Sequence, residues 1–285
     1  MTTELIIGAV NPGYGGLPIG VAAALGGATL AWHAHPGQGS YCPGRTVMRY
    51  HHPHAGAHTI IDAIPPMVDV LTINGFSDWL VTGGALIGGG YKPPLIVVEV
   101  RYPRDEARPI CEFLEKRGYR AVWGAVRACD VGTPHVRPRV YVTAARADCE
   151  APAVNTAYLD ADRAFNPLWP TPAVDDTPLV LTAYQWALDD LAGHPDKALT
   201  GSLEHWGNVT GEPYPYPLYT APTPETQGSP SLGFIEWMMG LPVGYVSTPG
   251  LPLTRAERML LLQAGTVPLQ AAHAVAVGLT QMGEQ

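Results

Sequence analysis

The sequence predicts an α/β protein built on a doubly wound, mostly parallel sheet, with a smaller loop-rich lobe behind it. Three observations carry this. Short continuous apolar runs alternate with helix-like or glycine-rich connections through the first half of the chain, as expected for strands buried on both faces of a sheet. The first run leads straight into a glycine turn and a helix, the opening of a βαβ unit. After Glu150 the texture shifts to proline-rich stretches, which marks a second lobe.

The elements follow in order. Strands are expected over Glu4–Val10, Ala28–Ala34, Val68–Thr72, Leu95–Val100, Ala121–Val126 and Arg139–Ala144. Ile19–Leu25 reads as a helix, and so does Arg108–Arg117, which Gly118 closes as a C-cap. In the lobe, the proline-rich stretches Asn166–Pro172 and Glu212–Pro224 flank one expected helix, Val180–Ala192. From Phe234 the chain becomes apolar again, and Arg255–Leu262 and Pro268–Val277 read as helices.

Composition narrows the function classes. The 285 residues are 46% hydrophobic and 15% charged, as in a soluble globular protein, and 32 Gly with 29 Pro imply many turns. A net charge of −8 gives no overall attraction to phosphate backbones, so any nucleic-acid contact must come from a local basic patch. The four cysteines (Cys42, Cys111, Cys129, Cys149) lack zinc-site spacing, which points to reduced, mostly buried thiols in a cytoplasmic protein. Neither a signal peptide nor a membrane span is expected, because no apolar run reaches ~18 residues. The His51-His52-Pro53-His54 cluster has no helical i, i+4 pair and no nearby Cys or carboxylate, so no metal is expected there.

Three segments could carry chemistry. Asn11-Pro-Gly13-Tyr14-Gly15-Gly16-Leu17 follows the first strand; its glycines either let the backbone approach a ligand at a helix N-terminus or serve packing alone. Gly118–Val142 holds two strand-like runs around a loop with Arg137 and Arg139. Alternate residues of a strand point the same way, so these arginines either face one carbonyl or phosphate or are a solvated surface pair. Phe234–Tyr245, followed by Ala264–Gln270, is rich in aromatic and Met residues and reads first as core packing.

Taken in order, these segments resemble the motif layout of the DNA (cytosine-5)-methyltransferase family over nearly the whole chain. The glycine turn is similar to the family's Phe-x-Gly-x-Gly-Gly cofactor loop. Gly118–Val142 resembles its Asp-x-Gly-x-Pro-Gln-x-Arg-x-Arg motif with the strand after it, and Phe234–Tyr245 its Met-Gly-Phe-Pro segment. Pro268 and Gln270 fall where the last Gly-Asn-x-Val-x-Pro motif ends. The resemblance implies a sheet of the S-adenosylmethionine-dependent methyltransferase type over residues 1–150 and a target-recognition lobe over 151–250. Helices in 251–285 then return to the core. Family chemistry adds a cysteine thiolate to C6 of a flipped-out cytosine, held by a glutamate and an arginine, before C5 takes the methyl group.

The departures fall where that chemistry happens. The family's Gly-Phe-Pro-Cys-Gln loop reads Gly75-Phe76-Ser77-Asp78-Trp79 here, so Asp78 stands at the cysteine position. A carboxylate is a far poorer carbon nucleophile than a thiolate. On the cofactor side, Asn11 replaces the phenylalanine beside the adenine, and His35 ends the second strand where an acidic residue would hold the ribose. Gln263 and Ala264 replace the Gly-Asn pair. Gly13, Tyr14, Gly15 and Gly16 keep the loop, so an S-adenosylmethionine site is resembled but eroded. The short span between Asp78 and Glu99 implies that the connecting helix is cut down to a loop over Gly83–Gly90.

Base-holding groups persist by resemblance: Glu99, offset by one residue, with Arg137 and Arg139. The expected activity is therefore altered chemistry on a pyrimidine in double-stranded DNA, with Asp78 as general base or water activator. The alternative is a non-catalytic DNA-binding or partner subunit, a pseudoenzyme. Ordinary methyl transfer ranks below both, since losing the covalent step leaves C5 unactivated. Trp169, Trp186, Trp206, Tyr214, Tyr216 and Tyr219 either stack on bases or pack the lobe. With Arg163 and Lys197 among its few basic residues, the lobe points to a protein partner assisting DNA binding.

Overall fold

A computed structural model describes residues 4–35, 42–58, 65–75, 79–101, 106–159, 197–218 and 230–284. The six expected strands all form, within a few residues of their expected ends: β1 (Leu5–Val10), β2 (Ala28–Ala34), β4 (Val70–Asn74), β5 (Leu95–Arg101), β6 (Tyr119–Arg127) and β7 (Pro138–Arg146). A short β3 (Gly56–His58), too brief to leave an apolar run, completes a seven-stranded sheet ordered β3-β2-β1-β4-β5-β7-β6. Strands β1 to β5 pair in parallel, and β7 runs antiparallel to β5. From β1 the chain winds outward through β2 and β3, then crosses back to lay β4 on the other flank of β1. The reversal point lies between β1 and β4, where a doubly wound sheet opens its ligand crevice at the carboxyl ends of the strands.

The apolar runs form strands because both faces are covered. Val70, Leu71, Ile73 and Leu95 to Val98 are fully buried, and the core continues through Ile110 and Leu114 of α4 (Ala107–Glu115). Two glycines set the packing distances. A side chain on Gly8 would run into the indole of Trp32, which lies across β1 and donates from Nε1 to the Pro66 carbonyl at 3.0 Å. A side chain on Gly20, in α1 (Gly16–Ala24), would run into the Pro268 carbonyl and the Ala271 methyl group of α8 (Pro268–Gly283).

Contacts divide the chain into two units, residues 1–126, 138–159 and 268–285, and residues 127–137 and 160–267. This differs from the expected division at 150 and 250. The stretch 127–137 joins the second unit, and so does α7 (Arg255–Ala264), leaving only α8 with the sheet. The helix expected over Val180–Ala192 lies outside the described residues, as do Arg163, Trp169, Trp186 and Tyr219.

Within the second unit, α5 (Lys197–Thr210) and α6 (Leu232–Met238) carry the aromatic residues. Trp206 is buried and donates to the Trp237 carbonyl at 2.7 Å, and Trp237 donates to the Glu212 carbonyl at 3.0 Å. Phe234, Trp237, Met238 and Met239 are buried as core packing, whereas Tyr214 and Tyr216 are exposed. The buried Glu236 carboxylate accepts from the amides of Gly244, Val246 and Ser247 and from the Ser247 hydroxyl. Arg258 donates to the carbonyls of Val246, Thr248, Leu251 and Leu253. These charged groups, saturated by backbone, fix the irregular chain between α6 and α7.

Between β4 and β5 the structure departs from expectation. Gly83–Gly90 is helical for most of its length: a π-helical turn over Trp79–Gly83 runs into α3 (Gly84–Gly88). The cause is packing. Trp79 is buried edge-on against Phe113, with ring centroids 5.4 Å apart, and a side chain on Gly83 would collide with Ile73. The wide turn accommodates both, as π-bulges do beside functional sites.

Candidate functional site

The glycine turn lies at the end of β1, at the reversal point of the sheet. Asn11 (φ 49), Gly13 (φ 58) and Gly15 (φ 101) all take left-handed backbone conformations, so the chain turns sharply before α1. Asn11 ties the two halves of the sheet: its amide donates to the Ala34 carbonyl of β2 at 2.7 Å, and its Nδ2 to the Asn74 carbonyl of β4 at 3.3 Å. The Gly15 amide closes the turn on the Pro12 carbonyl at 2.8 Å, and Tyr14 is fully buried beneath it. Gly16 opens α1, and a side chain on Gly13 would meet open space. The loop therefore presents bare backbone beside a helix N-terminus, a geometry suited to a small ligand.

His35 follows β2 and is 2% exposed. Its Nδ1 lies 3.5 Å from Cys42 Sγ, and its ring meets that of His33 edge-on at 5.2 Å. Beside it begins α2 (Pro43–His51), absent from the sequence reading; a Cβ on Gly44 would sit 2.8 Å from the Gly13 carbonyl and 3.1 Å from His35 Cε1. Glycine at 44 is thus what lets α2 approach the loop. Burial, with Arg49, His52, Arg45 and His58 adding like charge, depresses the His33 pKa to about 4. Burial, with His33 and Arg45, depresses that of His35 to about 3. Both rings are neutral at pH 7. His33 and Arg45 escaped the sequence reading because nothing in the residue order showed that α2 folds over β2; the dense run of His and Arg between residues 33 and 58 was the available signal.

Glu99, near the end of β5, is 2% exposed. Arg139 of β7 donates from Nε to Glu99 Oε1 at 2.8 Å. The pairing of Glu99 with Tyr141 places Arg139 diagonally opposite Glu99 on one face of the sheet. The amide of Gly75 (φ 107) donates to the Glu99 carbonyl at 2.8 Å, which places the start of the Gly75–Trp79 loop against this pair. Asp78 itself lies outside the described residues.

Arg139 pairs with Glu99, whereas Arg137 turns to the end of α7. Arg137 precedes β7 with a left-handed backbone (φ 23), which breaks the strand alternation and turns its side chain elsewhere. Its guanidinium donates to the Leu262 carbonyl at 3.4 Å and to the Gln263 carbonyl, and its Nη1 contacts Met239 Sδ at 3.4 Å. It thereby caps the C-terminus of α7, where a cation also suits the helix dipole.

All four cysteines are free thiols. Cys111 is packed in the core, with burial raising its pKa to about 11, and burial also raises that of Cys129. Cys42 is half-buried beside His35, and Cys149 lies in the turn after β7. No group of His, Cys, Asp and Glu able to hold a metal ion occurs among the described residues.

For S-adenosylmethionine, the cofactor used by proteins of this fold, the backbone of the glycine turn fits but the side chains do not. The end of β2 carries a neutral histidine rather than a carboxylate able to accept from ribose hydroxyls, and the groups acting on that histidine pair are all basic.

The sequence matches no protein-family model and no curated protein. Solved structures do match over the full length. The Dnmt2 methyltransferase of S. pombe superimposes with a TM-score of 0.61 at 11% identity, covering 99% of this chain and 100% of that one. A Spodoptera frugiperda DNMT2 variant gives 0.56 at 12% identity, covering 97% and 100%. The Entamoeba histolytica methyltransferase EhMeth gives 0.54 at 12% identity, covering both chains completely. With a seven-stranded, mostly parallel sheet, the chain has the fold of the cytosine-5-methyltransferase-like, S-adenosylmethionine-dependent methyltransferases.

Proposed function

We propose that the protein acts on a pyrimidine base of double-stranded DNA by chemistry other than cysteine-dependent methyl transfer. The observation that carries this reading is the Glu99–Arg139 pair. A buried carboxylate at the open end of a sheet can accept from the exocyclic amino or ring N–H of a base, and an arginine bonded to it keeps the carboxylate aligned. Arg139 has further donors on its guanidinium beyond the Nε that Glu99 occupies. Asp78, at the position of the family's cysteine, is the general base or water-activating group in this reading. Arg137 serves the fold by capping α7 rather than holding the base.

The test is direct. The protein is incubated with mixed-sequence duplex under varied small-molecule co-substrates, the DNA is digested to nucleosides, and the products are weighed by mass spectrometry. A new nucleoside mass that disappears in Asp78→Asn and Glu99→Gln supports the reading. Unchanged nucleosides under every condition, with retained duplex binding that weakens steeply with salt, would favour a binding subunit instead.

A further inference from the structure

We propose that the end of β2 and the first turn of α2 form a binding site for the phosphate group of a small, nucleotide-type ligand. The proposal goes beyond the base-modifying reading and does not depend on it.

The first argument is unspent hydrogen-bonding capacity. Both ring nitrogens of His33, Nε2 of His35 and Nε of Arg45 are buried and have no partner among the described residues. A neutral imidazole offers one N–H donor and one acceptor. Leaving such groups unpaired in the interior costs about 1–3 kcal/mol each, so a cluster of them calls for a bound partner.

The second argument is charge. The groups that act on the His33–His35 pair are Arg45, Arg49, His52 and His58, all basic. Arg45 and Arg49 stand one turn apart on α2, so both can address one anion. The nine-residue α2 carries Pro at its first turn and no side-chain cap, and it begins beside His35 and the Gly13 carbonyl. Its N-terminus therefore adds a favourable dipole to a site that already holds donors and cations.

Burial decides the size of the ligand. His33 is fully buried and His35 is 2% exposed, out of reach of a duplex backbone, so the proposed ligand is one that brings a terminal phosphate or diphosphate to this pair. The bare backbone above Gly13 leaves room for the rest of such a molecule. Histidine and arginine at the end of the second strand are the kind of groups by which dinucleotide sites accept a ribose phosphate.

The experiment is calorimetric titration of the full chain with ADP, pyrophosphate and adenosine. ADP and pyrophosphate are expected to bind and adenosine to bind at least about tenfold more weakly. ADP binding is expected to take up protons, because an anion favours the charged imidazole. Alkylation of the half-buried Cys42 should slow when ADP is present. Arg45→Ala and His35→Asn should each weaken ADP at least about tenfold, the loss of one charge-assisted hydrogen bond. Arg120→Ala, on β6, should leave it unchanged. Circular dichroism of each variant separates loss of the site from loss of the fold. Absence of binding by both ADP and pyrophosphate at about 1 mM, or equal binding of adenosine and ADP, overturns the proposal. Unaltered ADP affinity in a folded Arg45→Ala protein does so as well.

Discussion

Arg139 Nε and Glu99 Oε1 lie 2.8 Å apart, diagonally across the antiparallel β5/β7 pair, with Glu99 2% exposed. An ion pair this deep joins stability to function, because neither charge can be removed without stranding the other. Arg139→Ala should therefore destabilise the fold by about 3 kcal/mol in urea denaturation. Arg139→Ala combined with Glu99→Gln should recover part of that loss. A double variant whose loss equals the sum of the two single losses would mean that the pair has no net coupling.

Arg137 makes the opposite kind of contribution. Its guanidinium is bonded to the Leu262 and Gln263 carbonyls, so Arg137→Ala should fray the last turn of α7. Hydrogen exchange should accelerate around residues 260–266, with a stability loss of about 1 kcal/mol. Unchanged exchange there would show that the cap is dispensable.

The buried histidines make stability depend on pH in a defined direction. His33 and His35 have folded pKa values of about 4 and about 3, below the ordinary 6.5. The unfolded chain therefore takes up protons first as pH falls, and stability declines from about pH 6.5 down to those folded values. Denaturation at a series of pH values should show the slope approaching two protons between these limits. It should shrink toward one in His33→Asn. A wild-type curve flat from pH 7 to 4.5 would contradict the burial of the pair.

Packing of α1 on α8 requires glycine at position 20. Gly20→Val would force its side chain into the Pro268 carbonyl and the Ala271 methyl group, and overpacking of this kind costs about 1–3 kcal/mol. Thermal denaturation reads the effect directly. A variant as stable as the wild type would mean that the two helices can separate without cost.

Restoring the family's nucleophile should not restore the family's reaction. Asp78→Cys is expected to leave methyl transfer from S-adenosylmethionine undetectable, because the buried, neutral His35 at the end of β2 cannot accept from ribose hydroxyls as a carboxylate would. The check is transfer of labelled methyl groups to duplex DNA, with cofactor binding measured alongside. Transfer at an ordinary rate would place the defect in position 78 alone.

The strands, the glycine turn and the outline of the fold were legible in the sequence. Continuous apolar runs bounded by turn residues have few alternatives to buried strands, and a glycine turn after the first strand locates the crevice. Glu99 was singled out through resemblance, and only the structure gave its burial and its bond to Arg139. Two things were not legible. The wide helical turn after Asp78 arises from Trp79 packing on Phe113, residues far apart in the chain. The divergence of Arg137 from Arg139 follows from a single left-handed residue, which strand alternation cannot anticipate.

The sequence by itself determined six of the strands, the glycine turn, and which residue types stand at position 78 and at the end of β2. Each is a local fact, set by residue type and by spacing along the chain. Tertiary structure alone decided which charges meet: Arg139 with Glu99, Arg137 with the end of α7, and His33 and His35 with α2. Burial and charge act through space, and the spacing of residues along a chain does not fix the distance between side chains once it has folded.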